Sequence, residues 1–229
     1  MKNNFNHEQE KLMKNIAIIG GTGKEGKGLA FRWSKAGYKI VIGSRLVEKA
    51  QIAADEINQI IGKNLVTGLE NHQAADWCDI AVLTIPYSAH KIMLEDLKEC
   101  LLGKLLIDVT VPLVKPFSKV HMPIEGSAAK EAQTILGEKV NIASAFQNIS
   151  YSRLLSGEDI DCDVLVCGSS KETRAEVLEL VKQAGMVGWD AGPLENSVVV
   201  EGLTSILFGI NLEYGEHSAG IKITGINRA

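Results

Sequence analysis

The chain has 229 residues, of which 45% are hydrophobic and 23% are charged, and its formal net charge is −4. These values are typical of a folded globular protein, and they exclude a disordered chain and a small disulfide-stapled domain. The slightly acidic balance gives no long-range attraction to nucleic acid or to an anionic lipid surface. We therefore expect neither a nucleic-acid partner nor a membrane partner.

The cysteines and the first residues indicate the cellular compartment. The four cysteines have neither CxxC spacing nor a nearby histidine pair, so we expect free thiols and no metal site. The polar segment 1–14 lacks the apolar core of a secretion signal and is interpreted as a flexible tail. No uncharged apolar stretch reaches the roughly 18 residues of a membrane-spanning helix. The sequence therefore predicts a cytoplasmic protein.

Short apolar runs alternate with amphipathic stretches of helical length from Asn15 onward. The predicted elements are strand 15–19, helix 24–36, strand 38–43, helix 46–60, strand 64–69, strand 79–85, helix 87–101, strand 104–111, helix 126–136, strand 139–146, strand 163–168, helix 170–184 and strand 185–192. This alternation is typical of parallel strands joined by helical crossovers. It predicts an α/β fold with a doubly wound, mostly parallel sheet of the Rossmann type.

The last part of the chain differs from this pattern. An apolar stretch at 194–212 is interpreted as a buried helix, and the segment AGIKITGI follows at 219–226. We place a domain boundary near Gly192, which gives a Rossmann domain over 15–192 and a small helical C-terminal lobe over 193–229.

A glycine-rich turn follows the first predicted strand. Its sequence, GGTGKEGKG, places Gly21, Gly23 and Gly26 in a G-x-G-x-x-G pattern at a strand-to-helix junction. Glycine lets the backbone approach a pyrophosphate closely, and the N–H groups of the following helix attract the negative charge. The context predicts a dinucleotide site, with a purely structural turn as the alternative.

The end of the second strand indicates which dinucleotide binds. An NAD site usually has a carboxylate there for the ribose 2′-hydroxyl, whereas this chain has Ser44 and Arg45, with Lys49 one helical turn later. A hydroxyl, a guanidinium and an ammonium match a 2′-phosphate. NADP(H) is therefore predicted, with solvated surface charges as the alternative.

The remaining ligand contacts are expected beyond the carboxyl ends of the strands. The residues placed there beside the nicotinamide are Thr84, Ile85, Pro86 and Val111. Gln147 and Asn148 follow a later strand and either bind a ligand through their amides or order the loop. The histidines are scattered and the carboxylates are ambiguous, so no catalytic acid or base is predicted.

Taken together, the motifs resemble those of the NADPH-dependent reductases of coenzyme F420, the 8-hydroxy-5-deazaflavin:NADP oxidoreductases. The matching segments are GGTGKEGKGLAFR (20–32), IVIGSR (40–45) with Lys49, CDIAVLTIP (78–86), VLVCG (164–168), DAGPLENS (190–197) and AGIKITG (219–225). The resemblance implies the following cofactor contacts: Thr22, Gly23, Lys24 and Glu25 for the NADP phosphates, Ser44, Arg45 and Lys49 for the 2′-phosphate, and Ile85 and Val111 for the nicotinamide. It also implies a deazaflavin cleft closed by the C-terminal lobe, with Gly220 and Ile221 at its floor.

The implied reaction is direct, reversible hydride transfer between carbon 4 of nicotinamide and carbon 5 of the deazaflavin. Such a transfer requires the two rings to be stacked and needs no catalytic side chain. One departure is the segment 147–150, which reads QNIS where some members carry a His-Thr-Ile-Pro-like sequence. Two alternatives remain open, an NADPH-dependent reductase of a flavin, ferric chelate or imine, and a non-catalytic NADPH sensor. The sequence leaves the oligomeric state open, a homo-oligomer included.

Overall fold

The structure is a computed structural model that describes residues 13–226. The predicted flexible tail lies outside the described residues except for its last two positions. Met13 packs against the buried core, and Lys14 Nζ lies 2.5 Å from Glu176 Oε1. These two residues therefore belong to the folded part of the chain.

Among the described residues, eight strands form one sheet. Their bounds are β1 Ile16–Ile19, β2 Ile40–Ser44, β3 Val66–Glu70, β4 Ile80–Leu83, β5 Leu105–Asp108, β6 Asn141–Ser144, β7 Asp163–Gly168 and β8 Val187–Pro193. The α-helices are α1 Lys24–Lys35, α2 Val47–Ile61, α3 Asn71–Trp77, α4 His90–Leu97, α5 Ala128–Leu136, α6 Tyr151–Leu155, α7 Lys171–Gln183 and α8 Ser197–Tyr214. Within residues 13–226, no helix has both the length and the apolar character needed to cross a bilayer.

The order of the strands is β3-β2-β1-β4-β5-β6-β7-β8. The pairs are parallel except for β6 and β7, which run antiparallel. The first six strands have the order 3-2-1-4-5-6 of the Rossmann fold. The predicted fold class, a mostly parallel doubly wound sheet with a helical C-terminal region, is confirmed.

The sheet separates two hydrophobic layers, as the alternation of side chains along a strand requires. On β1, Ile16 and Ile18 belong to one buried cluster, while Ala17 and Ile19 belong to the other. The four residues are fully buried, which explains why the run is continuously apolar.

Two short helices, α3 and α6, were not predicted. Helix α3 is stabilised by a capping box in which the Glu70 side chain accepts from the backbone N–H of Gln73, whose own side chain accepts from Glu70 N–H. A helix of seven residues is too short to show the apolar period that identified the longer ones.

The strands predicted over 104–111 and 139–146 end earlier than expected. After β5, the Asp108 carboxylate accepts the Thr110 N–H at 2.9 Å, so the backbone turns out of the sheet. After β6, Phe146 has a φ of 72°, which is incompatible with a strand. Both turns lie at the carboxyl edge of the sheet, where they shape the site described next.

Candidate functional site

The glycine-rich turn joins β1 to α1 and is tightly packed at two of its glycines. A Cβ atom added to Gly21 would lie 2.7 Å from Ile18 O, and one added to Gly26 would lie 2.6 Å from Gly21 Cα. The side chain of Asn71 supports the turn from α3, because its Oδ1 accepts the Gly20 N–H at 3.2 Å. Sequence reasoning missed Asn71, because it follows a strand that is distant along the chain.

Gly23 has a different environment from the other two glycines. It is exposed, and a Cβ added there would meet nothing described within 4 Å. Gly23 is also the N-cap of α1, and no side chain caps the helix. The turn therefore presents a backbone surface and the free N–H groups of a helix start, which is the arrangement that binds phosphate.

The two neighbours of Gly23 flank this surface. Thr22 is half-buried and Lys24 is exposed. Lys24 Nζ donates to the Tyr151 hydroxyl at 3.3 Å and lies 4.6 Å from the centre of that ring. The lysine thus connects the turn to α6.

The end of β2 carries the residues predicted for the 2′-phosphate. Ser44 is buried, and its Oγ accepts the Leu46 N–H at 3.2 Å, while Arg45 and Lys49 are exposed. Neither of these two cations forms a salt bridge with a described residue. Glu70, opposite Ser44 on β3, is engaged in capping α3. Arg45 and Lys49 are therefore both available to an anion.

A cleft of about 830 Å³ opens at the carboxyl edge of the sheet. Its walls come from the start of α1, the segments after β4, β5 and β6, and helix α8 with the residues that follow it. Of the predicted site residues, it is lined by Glu25, Thr84, Ile85, Pro86 and Val111. The structure thus brings these five residues together, next to the glycine-rich turn.

Gly220 and Ile221, predicted at the floor of this cleft, do not line it. They border a separate cavity of about 80 Å³ that also contacts Cys162. A side chain at Gly220 would collide with Cys162 Sγ, and Asp163 N–H donates to Ile221 O at 2.8 Å. The segment is held by packing against the start of β7, and the neighbouring Ala219 borders the cleft in its place.

Helix α8 forms the wall that sequence reasoning did not resolve. Thr204, Leu207, Phe208 and Asn211 line the cleft, and their spacing of three and four residues puts them on one helix face. Since the whole stretch is apolar, hydrophobicity alone does not distinguish this face from the others. The spacing of Thr204 and Asn211, two polar residues seven apart, was the available signal.

Gln147 and Asn148 order the loop after β6, one of the two roles left open for them. Gln147 Nε2 donates to Asp108 O at 2.7 Å and to Ser144 Oγ at 2.9 Å. Asn148 Nδ2 donates to Val200 O at 3.0 Å, which ties the loop to α8. Both side chains also line the cleft.

Several polar atoms along the cleft are buried without a hydrogen-bond partner among the described residues. These atoms are Glu25 Oε1, Thr110 Oγ1, Gln147 Oε1 and Asn148 Oδ1. Leaving such a group unsatisfied costs about 1–3 kcal/mol, so their concentration in one cleft indicates a polar ligand.

A network of ionisable groups lies behind the cleft wall. His90 is fully buried, with Nε2 2.7 Å from Asp108 Oδ2 and Nδ1 3.2 Å from Glu131 Oε1. The Tyr87 hydroxyl donates to Glu131 Oε2 at 2.6 Å, and Tyr87 reaches the cleft. His90 and Asp108 are thus distant in sequence, but the fold brings them together in the interior.

The pKa values in this network are displaced from their ordinary values. Burial lowers the pKa of His90, but Asp108 and Glu131 outweigh it and raise the value to about 9. Burial, followed by the charge of Asp108, raises the pKa of Glu201 to about 8. His90, Asp108 and Glu201 are fully buried, so these three side chains stabilise the wall of the cleft, whereas Tyr87 lines the cleft itself.

No cluster of His, Cys, Asp and Glu within residues 13–226 has the arrangement of a metal site. The four cysteines are free thiols, and burial raises the pKa of each. They are therefore poor nucleophiles and poor metal ligands.

The fold and the glycine-rich turn together define a Rossmann-type dinucleotide-binding protein. A family model described as NADP oxidoreductase, coenzyme F420-dependent, matches residues 15–112. The chain is 39% identical over 222 residues to the F420-dependent NADP reductase of Methanocaldococcus jannaschii, an alignment that covers 92% of this chain and 98% of the relative. It is 37% identical to the enzyme of that name from Methanothermobacter thermautotrophicus, with coverage of 94% and 97%. The chain belongs to the family of F420-dependent NADP oxidoreductases.

A solved structure supports the fold. It is described as a candidate F420-dependent NADP reductase from Arthrobacter sp. FB24, and it superimposes with a TM-score of 0.76 over 92% of this chain and 99% of that one. Its sequence identity is 22%, so the likeness concerns the fold alone. The resemblance inferred from the sequence motifs and the prediction of an oxidoreductase are confirmed by the family match.

Proposed function

We propose that this chain catalyses reversible, direct hydride transfer between NADP(H) and coenzyme F420. The observation that carries the proposal is the set of four unpartnered buried polar atoms in one cleft that adjoins a glycine-rich dinucleotide turn. The names of the curated relatives, F420-dependent NADP reductase, support the same pair of substrates. These names do not favour either alternative left open by the sequence, a reductase of another acceptor or a non-catalytic sensor.

The turn and the end of β2 fit the NADP phosphates. Backbone N–H groups at Thr22, Gly23, Lys24 and Glu25 would bind the pyrophosphate, because Gly23 leaves the space above the turn open. Arg45 and Lys49 would bind the 2′-phosphate, with Ser44 as a further donor. The nicotinamide would then lie along 84–86 and Val111, which line the adjoining part of the cleft.

The remaining part of the cleft fits the flat deazaflavin. Phe117, Leu207 and Phe208 give it an apolar wall, and Phe117 and Phe208 pack edge to face at 5.4 Å. Gln147 Oε1 and Asn148 Oδ1 would accept hydrogen bonds from the ring N–H groups, since their amide nitrogens are already engaged. The hydrogen bonds between the QNIS segment and the deazaflavin would thus be accepted by amide oxygens of the protein.

The protein's contribution to the reaction is positioning. The bound nicotinamide supplies the hydride and the deazaflavin accepts it. The side chains of α8 and of the loops after β4, β5 and β6 hold the two rings against each other and exclude water. Orientation of this kind lowers the activation free energy by about 7–11 kcal/mol in favourable cases. No side chain is required as a catalytic acid or base for the hydride itself.

Anaerobic mixing tests the function. Purified protein, NADPH and oxidised coenzyme F420 should give a loss of deazaflavin absorbance at a rate proportional to protein concentration. A reaction that proceeds with free flavin, ferric chelate or an imine but not with F420 would favour the alternative reductases. Binding of NADPH without turnover of any acceptor would favour a sensor.

Two expectations from the sequence stay predictions. Self-association is supported by apolar side chains of α8 that are exposed, with Val199 at 62%, Ile206 at 48% and Ile210 at 42%. The mass in solution, measured by sedimentation, decides between a monomer and a homo-oligomer. A cytoplasmic location rests on composition and is tested by fractionating cells of the source.

A further inference from the structure

The carboxyl group of Glu25 occupies a position that the NADP contacts alone do not explain. Glu25 is the second residue of α1, directly after the glycine-rich turn, and its side chain lines the cleft. Its Oε1 is buried and has no hydrogen-bond partner among the described residues. Glu25 therefore brings an unsatisfied, buried acceptor to the border of the cleft, beside the turn.

The start of α1 packs closely against the segment after β4. A Cβ added to Gly26 would lie 2.8 Å from Thr84 Oγ1, and Glu25, Thr84 and Ile85 border the same cleft. In the proposed function this segment contacts the nicotinamide. The carboxyl of Glu25 therefore borders the space assigned to that ring.

A second glutamate provides an internal comparison. Glu172 is also the second residue of a helix and also follows a lysine, at the start of α7. Glu172 is exposed, and hydrogen bonds from its own N–H and from the Ser170 hydroxyl lower its pKa. Burial instead raises the pKa of Glu25 to about 8. The same helix position thus shifts the pKa in opposite directions, because the Glu25 carboxyl is buried at the border of the cleft and the Glu172 side chain is exposed.

The other charged and titratable groups around the cleft are engaged in hydrogen bonds or exposed to solvent. Lys24 donates to Tyr151, and Tyr87 donates to Glu131. Glu216 and His217 are exposed at the rim. Among the described residues, no cation forms a salt bridge with Glu25, so a positive charge brought in by a ligand would be its partner.

We propose that the Glu25 carboxyl lies against the nicotinamide ring, ionised beside NADP⁺ and protonated beside NADPH. The inference rests on the proposed function. NADP⁺ and NADPH differ in the charge of this ring, which is positive in NADP⁺ and neutral in NADPH. Their phosphates are the same, so the phosphates shift the ionisation of Glu25 equally in the two complexes. A carboxylate is stabilised by a nearby positive charge, and a neutral carboxyl group is preferred beside a neutral ring.

The proton balance of the reaction is consistent with this role. NADPH, the deazaflavin and one proton give NADP⁺ and the dihydrodeazaflavin. The hydride and its electron pair pass from the nicotinamide to the deazaflavin, and the proton released by Glu25 equals the one that the reduced deazaflavin takes up. Glu25 thereby links its own ionisation to the oxidation state of the bound nucleotide.

Proton release on binding tests the proposal without turnover. The protein is titrated with NADP⁺ and, separately, with NADPH in weak buffer at about pH 7.5, with a pH indicator. We expect NADP⁺ to release most of one proton more than NADPH does. The ratio of the NADPH to the NADP⁺ dissociation constant should rise by up to about tenfold per pH unit between about pH 6 and pH 8.

The variant Glu25→Gln should bind both nucleotides. NADP⁺ and NADPH should then release the same number of protons, and the ratio of their dissociation constants should be independent of pH. Glu172→Gln is the matched control and should behave as the wild type. Equal proton release by the two nucleotides in the wild type would overturn the role of Glu25 and leave the NADP site standing. Failure to bind either nucleotide would overturn the proposed function and this inference with it.

Discussion

Two arginines near the dinucleotide turn have opposite environments. Arg32 is buried in α1, where it donates to the carbonyl oxygens of Leu154, Arg153 and Glu158 at 2.7–2.8 Å. Arg45 is exposed at the end of β2 and has no salt bridge to a described residue. The first stabilises the fold, and the second is free to bind an anion.

Replacing Arg45 with alanine should therefore weaken NADPH binding selectively. Loss of a charge-assisted phosphate contact costs about 1.5–3 kcal/mol, or at least about tenfold in the dissociation constant, whereas NADH should bind as before. Fluorescence titration with both nucleotides measures the two constants. Lys63→Ala removes another exposed cation and serves as the control. Equal losses for NADPH and NADH would argue against the 2′-phosphate contact.

His90 gives the fold a pH dependence. Its pKa is about 9 in the folded protein against an ordinary value of 6.5. The ion pairs of His90 with its carboxylates therefore contribute fully to the free energy of unfolding below about pH 6.5. This contribution is lost as the pH rises through about 9. At about pH 6, His90→Asn should lower the free energy of unfolding by about 3–5 kcal/mol, because it leaves buried carboxylates without their partner.

Urea unfolding at about pH 6 and pH 9.5 checks this expectation, because the gap between wild type and variant should narrow at the higher pH. The control is His72→Asn. His72 lies 2.9 Å from Asp96 but is exposed, so its removal should change little at either pH. A gap of the same size at both pH values would show that His90 acts through packing and not through its charge.

At the scale of elements, we expect two glycines of the glycine-rich turn to have different roles. Gly26→Val should destabilise the protein, because the added Cβ would meet the backbone of Gly21 at 2.6–2.8 Å. Gly23→Val should leave the fold intact, since φ at this residue is −73° and the space is open. The same substitution should abolish NADPH binding by filling the space of the pyrophosphate.

Circular dichroism and nucleotide titration of the two variants separate these effects. A folded Gly23→Val protein that retains the wild-type affinity would mean that the turn does not bind the dinucleotide. Gly220→Val changes a residue that the resemblance placed at the floor of the deazaflavin cleft, and it is now expected to reduce stability through the collision with Cys162 Sγ.

How far the elements were predictable depends on their length and burial. The continuous apolar runs of β1, β4 and β5 and the amphipathic period of α1, α2 and α7 identified the Rossmann fold. The walls of the cleft were harder to predict, because they depend on contacts distant in sequence. Asn148 reaches Val200, and the positive φ of Phe146 is a tertiary effect that no residue pattern reveals. The glycine-rich turn is local in sequence, so its place between β1 and α1 was predicted.

At the scale of the molecule, the cleft exists because α8 returns across the carboxyl edge of the sheet. Glu201 of α8 accepts the backbone N–H groups of Ala128 at 2.7 Å and Ala129 at 3.1 Å, at the start of α5. Asn148, in the loop after β6, donates from Nδ2 to Val200 O of the same helix. The helix predicted as a small lobe is thus bound to the Rossmann domain at both points, and it forms one wall of the cleft.

The central claim is that the two rings lie together in this cleft and exchange hydride directly. NADPH labelled with deuterium at the transferred position of carbon 4 is mixed anaerobically with oxidised coenzyme F420 and the protein in ordinary water. Mass spectrometry of the reduced deazaflavin then locates the label. We predict one deuterium at carbon 5 of the product for each NADPH oxidised. A reduced deazaflavin without the label, with deuterium lost to the solvent, would contradict direct transfer.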